Sequence, residues 1–163
     1  MKNLALIAVL ALSTLFFAQS EKPKGKSTTM QMHAAGTFDV KITPVPLEDK
    51  AADPSLARMT IDKQFHGDLA ASSKGEMLSA GSPASGSGGY VAIERVVGKL
   101  GDRSGAFALQ HLGTMTKGAT ELSVTVVPGS GTGDLKGVVG KMTIKIEGGK
   151  HFYEFDYTIS PDP

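Results

Sequence analysis

The sequence predicts an all-β protein made of one antiparallel sheet system, closed into a barrel or stacked as a sandwich. Within the 163 residues, seven or eight segments alternate apolar and polar side chains, which is the pattern of half-buried strands. Turn sequences rich in glycine and proline separate these segments about every ten to fifteen residues. No segment combines apolar residues at helical spacing with helix caps. The length suggests a single domain, which we place at residues 34–160.

The predicted strands follow from their alternation, taken in chain order. The first segment, GTFDVKI (36–42), puts Phe38, Val40 and Ile42 on one face, and the second, RMTIDKQFHG (58–67), alternates through Met59, Ile61 and Phe65. A proline-rich, charged loop lies between them. The later predicted strands are DLAASSKGEMLSA (68–80), YVAIERVVGKL (90–100), SGAFALQHLGTMT (104–116), ELSVTVV (121–127), KMTIKIE (141–147) and HFYEFDYTI (151–159).

Short turn sequences connect most of these strands. Gly67 is a candidate bend between the second and third strands, and residues 101–103 suit a tight hairpin. The GGK sequence at 148–150 predicts a second hairpin. The segment GSPASGSGG (81–89) is expected to be the most flexible part of the domain.

The N-terminus has a different character from the rest of the chain. Residues 1–20 contain one lysine followed by an apolar run of 15 residues, Leu4 to Ala18, whereas a bilayer-spanning helix needs about 20. Together with the small-x-small pair Ala18 and Ser20, this predicts a secretory signal peptide cleaved after Ser20. An uncleaved membrane anchor is the alternative. We expect a flexible leader at 21–33, no membrane span in the mature chain, and a periplasmic or extracellular location.

The composition limits the candidate partners and cofactors. The chain has no cysteine, so the exported domain must depend on a hydrophobic core rather than on disulfides. Acidic and basic residues number 16 and 17, and without a basic face a nucleic-acid partner is not expected. The four histidines lack metal-ligand spacing. We therefore predict no metal site and no cofactor.

Five glycines between Gly129 and Gly140 raise the question of a phosphate-binding loop. A Walker loop requires Ser or Thr after Gly-Lys, but Met142 follows Lys141, and a dinucleotide fingerprint would require glycine where Lys136 stands. A strand pattern follows, so no helix N-terminus is available for a pyrophosphate. These glycines are expected at turns or barrel corners.

The segment GTGDLKGVVGKMTI (131–144) resembles a glycine-rich segment of the allene oxide cyclase and dirigent barrel superfamily. The order of the surrounding motifs, from DKQFHGDL through GGYVAIERVVGKL and GAFALQHLGTM to HFYEFDY, is similar to that of a bacterial family of uncharacterised proteins with this barrel. The resemblance covers about residues 34–159. It implies an eight-stranded antiparallel β-barrel, often oligomeric in the wider superfamily. It carries no catalytic residue over to this chain.

An eight-stranded barrel can hold one small ligand, so inward-facing polar residues are the candidates for a site. Glu94 and His111 lie on strands joined by the turn at 101–103. A two-residue turn would place Ala92 opposite His111, with Glu94 on the same face; a three-residue turn would place Glu94 on the other face. Packing of Val97 against Phe107 slightly favours the three-residue turn. Surface or structural roles are the alternatives for both residues.

The last strand provides the second group of candidates. Tyr153, Phe155 and Tyr157 share one face, and such an aromatic row can line an apolar pocket or form part of the core. With Glu94 and His111 they complete the predicted ligand-binding residues.

The sequence supports three hypotheses about function. The first is an exported barrel that binds a small apolar ligand in its lumen. The second is an isomerase or cyclase in which Glu94 or His111 moves a proton. The third is a filled, non-catalytic barrel that acts through its surface or as a homo-oligomer. No catalytic residue is assigned.

Overall fold

The computed structural model describes residues 30–47 and 55–160. The predicted signal peptide and residues 21–29 of the predicted leader lie outside the described residues. Within those two ranges the chain forms nine strands and one short 3₁₀ helix, Pro83–Ser85. The strands are β1 Met32–Val45, β2 Leu56–Gly67, β3 Leu69–Ser82, β4 Ser87–Leu100, β5 Arg103–Thr116, β6 Ala119–Val126, β7 Thr132–Gly133, β8 Val138–Glu147 and β9 Lys150–Ile159. Nothing helical in these ranges is long and apolar enough to cross a bilayer.

Eight of the strands form one closed antiparallel barrel. Their order is β4-β3-β2-β1-β9-β8-β6-β5, and β5 pairs back onto β4 to close the ring. The two-residue β7 adds to the edge of β5 at Gly105 and Ala106. Closure gives each of the eight strands a partner on both sides, and the β6–β8 contact is the shortest of these, with Val124 paired to Met142 and Thr125 to Lys141. The prediction of an all-β, eight-stranded barrel is confirmed, and the sandwich alternative is wrong.

The hairpin between β4 and β5 corrects the favoured register. Leu100 pairs with Arg103, so the turn has two residues, and Ala92 faces His111. Gly101 has φ of +57° at the first central position, a backbone conformation that glycine supplies in two-residue hairpins. The predicted packing of Val97 against Phe107 is wrong, because Val96 is the residue that faces Phe107 inside the barrel. Val97 points outward and is exposed.

The two glycine-rich connections contain short turns between paired strands. In the 81–89 segment, β3 continues to Ser82 and β4 begins at Ser87, and Gly86 at φ +61° lies between them. In the 129–140 segment, two turns flank β7, and the strand β8 follows with no intervening helix. Gly129 and Gly137 lie in these turns with φ of +71° and +77°, as expected for that segment, whereas Gly133 and Gly140 lie in strands.

One end of the barrel interior is filled by a hydrophobic core. Side chains alternate between the interior and the outer face along every strand, and the inward residues at this end come from all sides of the ring. Leu135, in the turn after β7, is also buried in this core and covers the strands near Gly105. We call this part the closed end. Its largest buried members are Phe65, Leu69, Leu100, Phe107, Phe155 and Tyr153.

Candidate functional site

The other end of the barrel contains an open cavity. A deep compartment of about 180 Å³ lies inside the ring of strands, and a wider compartment of about 640 Å³ lies at the mouth. We call the two compartments together the lumen. Five residues line both: Met77, Tyr90, Leu122, Ile144 and Ile146. The two compartments are therefore adjacent, and the smaller one lies next to the closed end.

The deep compartment has apolar walls and a polar floor. Its remaining apolar residues are Phe38, Val40, Ile42 and Ile61. The polar residues that line it are Lys63 of β2, His111 of β5 and His151 of β9, together with the phenol of Tyr90. A mostly apolar pocket with a few convergent polar groups is the usual form of a small-molecule site.

Glu94 lies at the centre of a buried hydrogen-bond network next to this floor. One of its carboxylate oxygens, Oε1, accepts from Lys63 Nζ at 2.7 Å and from His111 Nε2 at 2.8 Å. The other oxygen accepts from the hydroxyl of Ser73 at 2.6 Å. Glu94 is fully buried, and Lys63, Ser73 and His111 are each no more than 6% exposed. We call these four residues the Glu94 network.

The sheet register brings these four side chains together. Lys63 pairs with Ser73 across β2 and β3, Gly75 pairs with Glu94 across β3 and β4, and Glu94 lies one inward position along β4 from the partner of His111. A side chain at Gly75 would overlap the backbone of Glu94. Glycine at that position therefore leaves room for β3 and β4 to approach beside the carboxylate.

Aromatic rings hold the lysine in place. The Lys63 ammonium lies 4.9 Å from the centre of the Phe38 ring and 5.7 Å from that of Phe65. Cation–π attraction of this kind contributes to holding a charge that has lost most of its water. The ammonium nitrogen thus has one ionic partner and two ring faces, and it borders the lumen.

The network keeps the Glu94 carboxylate ionised. Burial raises the pKa of Glu94, but the hydrogen bond from His111, the charge of Lys63 and the hydrogen bonds from Lys63 and Ser73 outweigh burial and lower it from 4.5 to about 2. An ionised carboxylate only accepts hydrogen bonds, so the proton of the shared contact is on His111 Nε2. In the neutral imidazole the other nitrogen, Nδ1, then carries a free lone pair.

Tyr90 is the second titratable group that the network affects. Burial first, and then the negative charge of Glu94, raise the pKa of its phenol. Tyr90 therefore stays a neutral hydrogen-bonding group at the boundary of the deep and mouth compartments.

The structure separates the two groups of predicted site residues. His111 lines the deep compartment, and Glu94 lies directly behind it as its hydrogen-bond partner. Tyr153, Phe155 and Tyr157 also face inward, but they are buried in the core of the closed end, where their rings contact Phe65, Phe107 and each other. The Tyr153 hydroxyl accepts from the amide of Leu69 and donates to the carbonyl of His66.

Sequence analysis missed four residues of the floor and its network: Lys63, Ser73, Tyr90 and His151. The alternation of β2 could have indicated the first, because Lys63 occupies an inward position between Ile61 and Phe65. A lysine on an apolar face usually has a buried acidic partner. His151 is the inward residue next to Tyr153 on the aromatic face of β9, where its ring stacks on Phe38 at 4.9 Å.

Two other features of the described chain bear on possible sites. One of them is the arrangement of possible metal ligands: across residues 30–47 and 55–160, no group of three or more His, Cys, Asp or Glu side chains is placed to hold a metal ion. The other is a groove on the outer face. The outer face of the sheet from β2 to β6 carries a groove of about 790 Å³, centred on β3, β4 and β5. Its exposed apolar residues are Leu78, Val91, Ile93 and Leu112.

Comparison with known proteins gives a family and a fold. No curated protein sequence is significantly similar to this chain. Among the solved structures that match is the crystal structure of a protein with unknown function from the DUF3224 family of Shewanella oneidensis MR-1. That chain is 49% identical in sequence, with a TM-score of 0.74, and the match covers 81% of this chain and 100% of the other. Residues 34–157 match the family described as "Protein of unknown function (DUF3224)", and the chain therefore belongs to the DUF3224 family.

Proposed function

We propose that this barrel binds a small molecule with a largely apolar body in its lumen. The observation that carries the proposal is the lumen itself, which has apolar walls, a polar floor with Lys63, His111 and His151, and Tyr90 at the boundary of its two compartments. A barrel whose only task was structural would gain stability by filling this space, as the closed end does.

The walls of the lumen support the proposal through their exposure to solvent. Three inward-facing residues there are 40–66% exposed: Ile42, Leu122 and Ile146. Covering apolar surface with a ligand gains about 25 cal/mol per Å². An apolar molecule seated between these side chains would therefore gain the burial that the protein alone does not provide.

A pair of adjacent residues on β6 tests this directly. Leu122 faces the lumen and Ser123 faces the outer surface, so Leu122→Trp should fill the lumen while Ser123→Trp should leave it open. Thermal shift with a panel of lipids and terpenoids, and native mass spectrometry of protein purified from its own host, would detect binding. We expect binding in the Ser123→Trp variant and its loss in Leu122→Trp. The absence of any ligand in both assays would contradict the proposal.

One observation favours a second function, an isomerase or cyclase of the allene oxide cyclase-like type. Glu94 fixes the His111 ring through Nε2, and His111 lines the lumen, where its Nδ1 could accept a proton from a bound substrate. The resemblance of residues 131–144 to that superfamily supports placing the barrel there. If a turnover is found, His111→Gln and Glu94→Gln should each lower kcat by about 10²–10⁴-fold. Retention of turnover in both variants would contradict this role.

The exposed outer groove on β3, β4 and β5 supports a homo-oligomer as a further alternative. Ile93, at its centre, is 59% exposed. Analytical ultracentrifugation of the wild type and Ile93→Lys decides this point: a monomeric wild type would rule the alternative out.

We also propose that the chain is exported. The basic start and short apolar run of residues 1–20 support the proposal. For protein isolated from a bacterial periplasm, the intact mass should equal that of a chain whose first residue is Glu21.

A further inference from the structure

We propose that the lumen selects neutral molecules whose polar end carries a hydrogen-bond acceptor, such as a ketone or ester carbonyl, and rejects carboxylates. This inference rests on the proposed function, since it names the class of molecule that the same lumen takes. The polar end would point to the floor and the apolar part to the mouth.

The charges at the floor are already balanced. The ammonium of Lys63 and the carboxylate of Glu94 form an ion pair at 2.7 Å, and both are buried. Among the described residues that line the deep compartment, Lys63 is the one permanently charged side chain. At the mouth the lining includes an acidic residue, Glu121. A ligand therefore meets no uncompensated positive charge on its way to the floor.

The floor nevertheless offers hydrogen-bond donors. An ammonium has three N–H donors, and the structure gives Lys63 Nζ one hydrogen-bond partner, Glu94 Oε1. A pure hydrocarbon that filled the deep compartment would strip water from the remaining donors and return no hydrogen bond, which is unfavourable. A neutral acceptor on the ligand would replace that water, so a carbonyl at the leading end improves binding.

A carboxylate in the same place would lie beside a second carboxylate. Glu94 is ionised, and all three hydrogen bonds to its oxygens come from within the network. Lys63 would then be shared between two negative charges in a region from which water is excluded, where like charges repel strongly. The ionised ligand would also lose its own hydration. The balanced pair therefore disfavours an acid relative to a ketone of equal length.

The test compares decan-2-one with decanoate, measured by displacement of the uncharged probe N-phenyl-1-naphthylamine at about pH 8, where an unperturbed imidazole is neutral. The wild type should bind the ketone about tenfold or more tightly than the acid. Equal or tighter binding of decanoate by the wild type would overturn the inference while leaving the proposed function intact. If neither compound nor the probe binds, the proposed function fails, and this inference fails with it.

Two substitutions move the selectivity in opposite directions. Glu94→Gln leaves Lys63 without an ionic partner, so the affinity for decanoate should rise at least about tenfold relative to the affinity for the ketone. Lys63→Met removes this donor from both ligands and leaves the Glu94 charge without its ionic partner, so both should bind more weakly and decanoate should lose more affinity than the ketone. The second variant keeps the test decisive if the first does not fold, which circular dichroism would show.

A control on the outer face separates the lumen from general charge effects. Glu76 lies on β3, is paired with Arg58 and is largely exposed, and Glu76→Gln removes one negative charge as Glu94→Gln does. It should leave the ketone-to-acid ratio unchanged. The inference would be wrong if Glu76→Gln shifted this ratio as much as Glu94→Gln, or if Glu94→Gln folded and left it unchanged.

Discussion

The closed end and the lumen are built from the same eight strands with the same alternation of side chains, yet one is solid and the other is open. At the closed end, aromatic side chains of β5 and β9 pack together: Phe107 stacks on Phe155, and Phe155 stacks on Tyr157 of its own strand. In the lumen, inward side chains such as Ile42, Leu122 and Ile146 remain exposed around a cavity. The Glu94 network lies between the two regions.

This contrast separates residues that specify the fold from residues available for function. Burial of the closed end supplies hydrophobic stabilisation in a chain without disulfides, while the lumen leaves apolar surface uncovered. A ring of eight strands leaves the size of its interior cavity to the side chains that fill it. Stability and ligand binding should therefore respond to different substitutions.

The largest expected loss of stability comes from a substitution in the closed end. Phe155 is fully buried, and Phe155→Ala should lower the free energy of unfolding by about 3–5 kcal/mol through lost burial and a cavity. The matched truncation in the lumen, Ile146→Ala, removes a side chain that is 66% exposed and should change stability by less than about 0.5 kcal/mol. Urea unfolding at constant m-value measures both. Equal losses would show that the two regions do not differ as described.

A smaller effect on stability is expected from Glu94, which lies between the closed end and the lumen. The pKa of Glu94 is lowered from 4.5 to about 2 in the folded protein, so ionisation of Glu94 favours folding above pH 4.5. This contribution, about 3 kcal/mol, is lost as the pH falls from 4.5 toward 2. Unfolding curves across this range should show that slope in the wild type and a reduced slope in Glu94→Gln. An identical slope in the two proteins would contradict the assignment.

The smallest effect on stability is expected from a substitution in the lumen, at Gly113. A methyl group at Gly113 would overlap the ring of Tyr90, which is a side chain and can turn. Gly113→Ala should therefore cost only about 1 kcal/mol, but the displaced ring should enter the lumen and weaken ligand binding. Adding Tyr90→Leu should recover binding. Thermal unfolding and probe displacement measure the two effects, and unchanged binding in Gly113→Ala would show that the ring turns elsewhere.

Much of the fold could be predicted because alternation and turn residues are local properties of the chain. The hairpin register was harder, since Val96 and Val97 are adjacent and either could be the inward residue. The geometry of Gly101 decides between them. Closure into a ring depends on two pairings, β1 with β9 and β4 with β5. The second is a local hairpin, but β1 and β9 are far apart in the sequence, and periodicity carries no information on their pairing.

The candidate site could be predicted only in part. Glu94 and His111 are recognisable as polar residues in apolar strands, but the partner Lys63 comes from β2, which is separated from β4 by β3. Whether Tyr153 borders a cavity or a core depends on the volumes of side chains across the barrel, such as Phe65. That information is three-dimensional and does not appear in the spacing along β9.

Leu135 and the turn around it are buried in the core of the closed end, so the lumen opens on the opposite side of the barrel. A ligand that entered from that side would meet the wider compartment of about 640 Å³ first and the smaller one of about 180 Å³ second. The part of the molecule that leads on entry would therefore be the part that reaches Lys63 and His111.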